Sequence, residues 1–266
     1  MQGYQLAVSQ TSGLQKYDRK IAERLAIATE LALKETSCTV TRNDGTNACV
    51  FLCLKFIDRL MISSGSGNVL QDNIQWIATE VISNLPKILN DHRDKNLMYS
   101  VMSAYVIMRD SNLLENRFEF SEELPYQYTV FSSDGRRLLE HTMRRLEEEG
   151  NFLAIYTCEP YSLIIGSIDR QLFAADTHAI PLQCDGNLNG QIRVYDPSDK
   201  RSCHAVCCWL WRRLSESGVK SSQGQSFAVV TQVCSDVQAS GEKEYYKTDE
   251  KVRQMLKQYP TKYTVT

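Results

Sequence analysis

Four short segments rich in β-branched and aromatic residues follow one another from residue 151, and they constrain the fold more than any other feature. They read NFLAIYTC, YSLIIGSI, RQLFAADTHAI and QIRVYDP. The first three are separated only by Glu159-Pro160 and Asp169-Arg170, which leaves room for tight turns but not for crossover helices. The segments are therefore predicted to form consecutive antiparallel strands, and QSFAVVTQVC is predicted to form a final strand.

The chain before residue 151 has a different pattern, with apolar residues at helical spacing. Helices are predicted over 16–34, 68–92 and 133–149 and within 95–114, with a kink or break at Pro86 and an end at Gly150. Residues 116–132 are predicted to be irregular, and residues 202–214 to form a helix after the fourth strand. A helical N-terminal half packed on a central antiparallel sheet gives the fold class α+β.

The chain shows no compositional boundary between domains. We therefore predict that its 266 residues form one domain, 1–266, with a helical insert over 68–149. Residues 240–266 are charged and rich in tyrosine, and they are expected to form a peripheral tail.

Charge and cysteine content exclude several classes of protein. The net charge is −2, which does not favour nucleic-acid binding, and no apolar run reaches the ~18–20 residues that span a bilayer, so no membrane partner is expected. Nine cysteines, an odd number without any CxxC pair, indicate free thiols in a reducing intracellular compartment, cytoplasmic or nuclear. With only four histidines, no metal and no cofactor is predicted.

A candidate nucleophile lies in the stretch RNDGTNACVFLCLKFIDRL, residues 42–60. Asn43-Asp44-Gly45 forms a turn signal, Thr46 and Asn47 are helix-capping types, and an apolar helical pattern follows. Cys49 falls in the first turn of that helix, where the positive end of the helix dipole favours the thiolate. A buried thiol that only fills space is the alternative explanation for an isolated cysteine.

A candidate base lies on the third strand. Asp176 and His178 are two residues apart, so strand alternation predicts that both side chains lie on one face. A carboxylate beside an imidazole fixes its tautomer and orients its other nitrogen, and Cys49 facing this pair would complete a Cys-His-Asp triad. Asp196, at the end of the next strand, is the alternative orienting acid.

The order of these motifs resembles a known family. A helix-borne cysteine after a polar turn, a helical insert, YSLIIG, RQLFAADTHA and VYDPSDKRSCHAVCCWLWRRL follow one another over residues 41–214. This order is similar to the deubiquitinase domain of the herpesvirus large tegument proteins and of their tegument-like cellular relatives, which are papain-like cysteine proteases. The resemblance implies that Cys49 is the nucleophile, His178 the general base and Asp176 its orienting acid.

The oxyanion hole departs from that family, which usually has an upstream glutamine. No glutamine lies between Gln15 and Cys49, so Asn43 and Asn47 are the candidate oxyanion donors. The sequence DGTNAC is also similar to the D-G-x-C turn of ovarian-tumour deubiquitinases.

Both resemblances imply a cysteine-type deubiquitinase that hydrolyses the (iso)peptide bond after the ubiquitin C-terminal glycine. Ubiquitin or polyubiquitin is then the expected partner, its Arg- and Gly-rich tail lying in a narrow groove to which Glu159, Asp169 and Asp185 are possible contributors. The alternatives are a protease for a ubiquitin-like modifier, an acyltransferase or amidase on the same core, and a catalytically inactive ubiquitin-binding module.

Overall fold

The computed structural model of the protein describes residues 29–33, 48–64, 70–89, 97–121, 129–181 and 188–233. The helices within these ranges are α1 (Cys49–Ser64), α2 (Leu70–Leu89), α3 (Val101–Asp110), α4 (Ser133–Glu149) and α5 (Ser202–Glu216). The strands are β1 (Thr29–Leu33), β2 (Phe118–Phe120), β3 (Phe152–Cys158), β4 (Tyr161–Ile168), β5 (Gln171–Pro181), β6 (Leu188–Val194) and β7 (Gln225–Gln232).

The strands form one sheet in the order β1-β6-β5-β4-β3-β7-β2, and every neighbouring pair is antiparallel. Two-residue turns join β3 to β4 and β4 to β5, as the spacing of the sequence segments predicts. The α+β class and the strands predicted from residue 151 onward are therefore confirmed, except that the fourth strand covers 188–194 and not 191–197. The two turns lie at opposite ends of β4, so they define two separate ends of the sheet.

Helices cover both faces of the sheet. Successive side chains of the central strands point to opposite faces, and they are apolar on both. Ile155 and Ile164 point to the face that carries α1, α2 and α3, whereas Ala154 and Ile165 point to the face that carries α4 and α5. The sheet is thus the middle of three layers. Of the helices within the first 150 residues, α4 packs on the same side as the C-terminal α5.

The helix predicted over 16–34 is wrong for its last residues, and residues 16–28 and 34 lie outside the described ranges. Thr29–Leu33 form β1, which pairs with β6 from Thr29↔Val194 to Leu33↔Gly190. The segment TELAL has good helix formers, but pairing with an otherwise unpaired strand edge satisfies its backbone groups. Tertiary pairing therefore overrides the local preference.

Two further local predictions need correction. Pro86 does not end its helix, because α2 continues to Leu89, and both Leu85 and Leu89 are buried in the core. Pro86 has no backbone N–H, but it lies near the end of α2, where packing offsets the loss of one backbone hydrogen bond. Residues 116–132 are not wholly irregular either, since Phe118–Phe120 form the edge strand β2 beside β7.

The predictions for α4 hold at both of its ends. Ser132 caps the N-terminus by accepting a hydrogen bond from the Gly135 amide, and Gly150, with φ of 141°, follows the last residue. None of the helices in the described part of the chain combines the length and apolar character needed to cross a membrane.

Candidate active site

Cys49 is the first residue of α1, as the capping pattern before it predicts. Only 6% of its surface is exposed, and its Sγ donates a hydrogen bond to the Pro160 carbonyl at 3.4 Å. The first backbone amides of a helix have no partner within the helix, so the Cys49 N–H is available to an oxyanion. Cys49 therefore lies beside the β3–β4 turn with both a thiol and a helix-terminal amide.

Asp176 and His178 are in direct contact. His178 Nδ1 lies 2.5 Å from Asp176 Oδ1, and the backbone N–H of His178 donates to the same oxygen at 2.9 Å. A side-chain carboxylate that accepts the amide two residues later forms a local turn. The pair is therefore assembled by a local turn as well as by its position on β5.

The simple alternation that predicted this pair does not continue through it. The pairing of β5 with β6 shifts between Asp176↔Gln191 and Ile180↔Asn189, so β5 carries two extra residues there. Such a bulge bends the strand and redirects its side chains. The two residues thus meet as predicted, but a bulge and a turn bring them together rather than a regular strand face.

Two other side chains contact the Asp176–His178 pair. Arg213, buried on α5, donates from Nε to Asp176 Oδ2 at 2.7 Å and from Nη2 to the His178 carbonyl at 2.8 Å. On another side, the Tyr161 ring meets the imidazole edge-on with the ring centroids 4.8 Å apart. Neither residue stands out in the sequence, because an arginine on an amphipathic helix and a tyrosine at a strand start are ordinary.

Burial and neighbouring charges shift the pKa values of the three residues in a coherent way. Burial opposes the ionised form of Asp176, but the Arg213 guanidinium and His178 outweigh it and lower the pKa of Asp176 to about 2. Burial also opposes the imidazolium, yet the Asp176 carboxylate and Cys49 raise the pKa of His178 to about 10. Burial would raise the pKa of Cys49, but its interaction with His178 lowers it overall.

These shifts lower the pKa of Cys49 and raise that of His178, the directions that favour transfer of the thiol proton to the imidazole. In the resting geometry, His178 Nε2 is buried and makes no well-formed hydrogen bond to the described residues. The Cys49 thiol is nevertheless close enough for each residue to shift the pKa of the other. Contacts of catalytic groups are commonly loose before substrate binds, so this arrangement is compatible with proton transfer through Nε2.

The remaining residues predicted for the site have different positions. Asp196 is half-buried, and its Oδ1 accepts hydrogen bonds from the backbone N–H and the hydroxyl of Ser198 at 2.8 and 2.7 Å. Hydrogen bonding lowers the pKa of Asp196, and no hydrogen bond joins it to His178 within the described ranges. Asn43 and Asn47 lie outside the described residues.

Of the acids expected in the groove, Glu159 precedes Pro160 in the β3–β4 turn and is exposed beside Cys49. Asp169 is in the β4–β5 turn, at the opposite end of β4 and roughly 25 Å away along an eight-residue strand, so its assignment to this groove is wrong. Strand direction separates two acids that look equivalent in the sequence. Asp185 lies outside the described residues.

A second group of thiols on α5 has a different character. Cys203 donates to Glu147 at 3.1 Å, and His204 lies between Glu140 and Cys208, at 3.2 and 3.5 Å. Burial raises the pKa values of Cys203 and Cys207, which keeps their thiols protonated. In the described part of the chain, no group of three or more His, Cys, Asp or Glu side chains has the geometry to hold a metal ion.

Solved structures that are similar to this chain include the following two, both at low sequence identity. The ubiquitin-specific protease encoded by murine cytomegalovirus tegument protein M48, in complex with a ubiquitin-based suicide substrate, is 10% identical, with a TM-score of 0.44 over 87% of this chain and 95% of that one. The Pseudomonas avirulence protein AvrPphB is 11% identical, with a TM-score of 0.39 over 72% of this chain and 95% of that one. No protein-family model and no curated protein sequence matches the chain. At these TM-scores the two likenesses decide neither fold nor activity. The assignment of fold and the proposal for activity therefore rest on the residues of this chain.

Proposed function

We propose that this chain is a papain-like cysteine protease in which Cys49 is the nucleophile, His178 the general base and Asp176 its orienting acid. The observation that carries the proposal is the meeting of a helix-terminal thiol with an imidazole held by a buried carboxylate. A merely structural cysteine is expected to have a raised pKa in such a buried position, as Cys53 does. The lowered pKa of Cys49 therefore favours catalysis over packing.

The proposed reaction proceeds in two steps. The Cys49 thiolate attacks the scissile carbonyl, a carbon–sulfur bond forms, and the carbon–nitrogen bond breaks as protonated His178 gives its proton to the leaving amine. Neutral His178 then takes a proton from water, whose oxygen adds to the thioester carbonyl and displaces the Cys49 thiolate. The products are an amine and a carboxylic acid, and the enzyme returns to its starting state.

The oxyanion of each tetrahedral intermediate would be stabilised by the backbone N–H of Cys49, because that amide is at the N-terminus of α1. A second donor would be the side-chain amide of Asn43 or Asn47, which precede α1 in the sequence. Measuring kcat of Asn43→Ala and of Asn47→Ala identifies which of the two asparagines is the donor, since loss of an oxyanion donor lowers kcat by about 100- to 1,000-fold.

The proposed substrate class is ubiquitin joined to an amine through its C-terminal glycine, and the order of motifs in the sequence supports it. Glu159 at the β3–β4 turn is placed to meet a basic tail approaching Cys49. Within the proposed helical insert 68–149, Trp76 on α2 is 60% exposed and is a suitable anchor for the body of ubiquitin. An intracellular location, cytoplasmic or nuclear, remains part of this proposal.

A ubiquitin probe with a C-terminal electrophile tests the activity directly. Covalent labelling of the wild-type chain is expected, with its complete loss in Cys49→Ala and its retention in Cys53→Ala, the matched thiol one helical turn away. Labelling that survives Cys49→Ala and disappears in Cys53→Ala would contradict the assignment of the nucleophile. Reversible binding of ubiquitin without any labelling would identify an inactive ubiquitin-binding module.

The same electrophile on other modifiers tests the substrate class. If a ubiquitin-like modifier labels the protein faster than ubiquitin does, that modifier becomes the proposed substrate, and the assignment of the triad is unchanged. Reaction of Cys49 with small thioesters but with neither type of probe would indicate an acyltransferase or amidase. In the ubiquitin case, Trp76→Ala is expected to weaken labelling at low probe concentration, whereas Ile62→Ala, an exposed apolar residue outside 68–149, serves as its control.

A further inference from the structure

Arg213 is a buried charge whose described partners belong to the proposed active site. Its side chain is 1% exposed and lies near the C-terminal end of α5, whose inward face is otherwise largely apolar. A charged group at this depth is costly unless it is paired and hydrogen-bonded. The partners of Arg213 include the carboxylate of Asp176 and the backbone carbonyl of His178, so α5 is connected directly to the acid and the base.

The bulge in β5 explains why the second contact matters. Between Asp176 and Ile180 the regular pairing with β6 is interrupted, so backbone groups in this stretch lose regular partners across the ladder. The carbonyl of His178 accepts from Arg213 Nη2 at 2.8 Å instead. Arg213 therefore fixes the backbone of His178 as well as the carboxylate that holds its ring.

We propose that Arg213 is a positioning residue that holds Asp176 and the backbone of His178 in the arrangement in which His178 acts on Cys49. This inference rests on the proposed function of Cys49 and His178. Arg213 contacts none of the reacting atoms and acts only through its two neighbours. The planar guanidinium presents N–H groups at fixed angles to two acceptors at once, which a lysine ammonium on a flexible stem cannot reproduce.

The charged groups around Asp176 also support a positioning role for Arg213. Among the described residues, the titratable groups that act on it or respond to it are His178 on its own strand, Cys53 on α1 and Arg213 on α5, and Cys49 is coupled in turn to His178. Burial raises the pKa of Asp176, and Arg213 is the strongest of the influences that lower it. Without Arg213, Asp176 would take up a proton more readily, and His178 and Cys49 would then lose part of the charge coupling between them.

The test is the pH dependence of iodoacetamide alkylation at Cys49, followed by peptide mass spectrometry. In Arg213→Gln, the acid limb of the rate profile is expected to move up by about one pH unit, which is a tenfold lower rate on that limb. In Arg213→Lys, which keeps the charge without the planar fork, a smaller shift is expected. The matched control Arg212→Gln changes the preceding arginine, which is 29% exposed and lies 3.9 Å from Glu216, and it should keep the wild-type profile.

A double-mutant cycle separates a positioning role of Arg213 from a general effect of its replacement on folding. If Arg213 acts through Asp176, adding Arg213→Gln to Asp176→Asn should shift the acid limb little further, whereas fully additive shifts would overturn the inference. Should Arg213→Gln fail to fold by circular dichroism, Arg213→Lys is used in the same cycle with the same criterion. A wild-type profile in the folded Arg213 variants overturns the inference alone, while a wild-type Cys49 no more reactive than Cys53 overturns the proposed function.

Discussion

Cys53 follows Cys49 by one turn of α1, and the pKa values of the two thiols are shifted in opposite directions. Each Sγ donates to a backbone carbonyl at 3.4 Å, Cys49 to Pro160 and Cys53 to Ser162, so their hydrogen bonds are alike. Burial raises the pKa of Cys53 well above its usual value, and the nearby negative charges of Cys49 and Asp176 add to that rise. Only Cys49 has the imidazole of His178 as a partner, and that difference decides which thiol ionises.

The first prediction concerns the reactivity of these two thiols. At pH 7, iodoacetamide should modify Cys49 much faster than Cys53, because only the thiolate reacts and the pKa of Cys49 is lowered whereas that of Cys53 is raised. Time-resolved mass spectrometry of the native protein gives both rates from one experiment. Replacing Cys49 by serine should leave Cys53 unreactive, and equal rates in the wild type would refute the assignment of the ionised thiol.

The second prediction separates the two acids that the sequence left as alternatives. Asp176→Asn should reduce kcat on a ubiquitin C-terminal fluorogenic amide by about 100- to 10,000-fold, the range for loss of assisted proton transfer. The reason is that an amide cannot raise the pKa of His178 as the carboxylate at 2.5 Å does. Asp196→Asn should have near-wild-type kcat, since Asp196 is hydrogen-bonded to Ser198. A comparable loss in Asp196→Asn would favour the alternative acid.

Much of the fold could be predicted from local patterns, and the errors occur where distant pairing decides the outcome. The strands from residue 151 could be predicted from the local sequence, because tight turns and alternation are local features. The segment TELAL at residues 29–33 has helix-forming residues, and only its pairing with β6 makes it a strand. Likewise, the continuation of α2 through Pro86 depends on the burial of Leu85 and Leu89.

The candidate site shows the same division between local and distant information. Asp176 and His178 are close in sequence, so their contact could be anticipated, and the capping pattern before Cys49 indicated a helix start. Arg213 could not be identified in this way, because its pattern on α5 is that of an ordinary charged residue. Its burial is explained by contacts that only folding provides, above all the one with Asp176, 37 residues away. A buried charge and its counter-charge can be recognised only together.

The third prediction concerns stability in acid. The pKa of Asp176 falls from 3.8 to about 2 on folding, so Asp176 contributes stability above its unfolded pKa, and that contribution is lost as the pH falls through about 2. The difference in unfolding free energy between the wild type and Asp176→Asn should therefore shrink by about 2 kcal/mol between pH 5 and pH 2. Urea titrations at several pH values measure this difference.

His178 adds no pH dependence to the stability of the wild type in this range, because its raised pKa keeps it protonated in both folded and unfolded states below pH 5. Asp196→Asn is the control, since its carboxylate is exposed and should contribute much less. A constant difference between the wild type and Asp176→Asn over this pH range would show that the buried carboxylate is not held in its ionised form.

The fourth prediction concerns Gly166, which lies in the middle of β4 between Leu153 on β3 and Phe173 on β5. A Cβ at this position would lie 2.7 Å from Leu153 Cδ2 and 2.8 Å from two ring atoms of Phe173. Gly166→Ala is therefore expected to destabilise the protein by about 1–3 kcal/mol, the usual cost of overpacking a core. Thermal unfolding of the wild type and the variant measures it.

Phe173→Leu offers a test of that cause, because it removes the ring atoms that the new methyl group would meet. Phe173→Leu alone should destabilise the protein by opening space in the core. Combined with Gly166→Ala, it should cost less than the sum of the two single changes, since the added methyl group then occupies part of that space. Additive costs would mean that the alanine methyl group does not press on Phe173 and that the penalty at Gly166 arises elsewhere in the sheet.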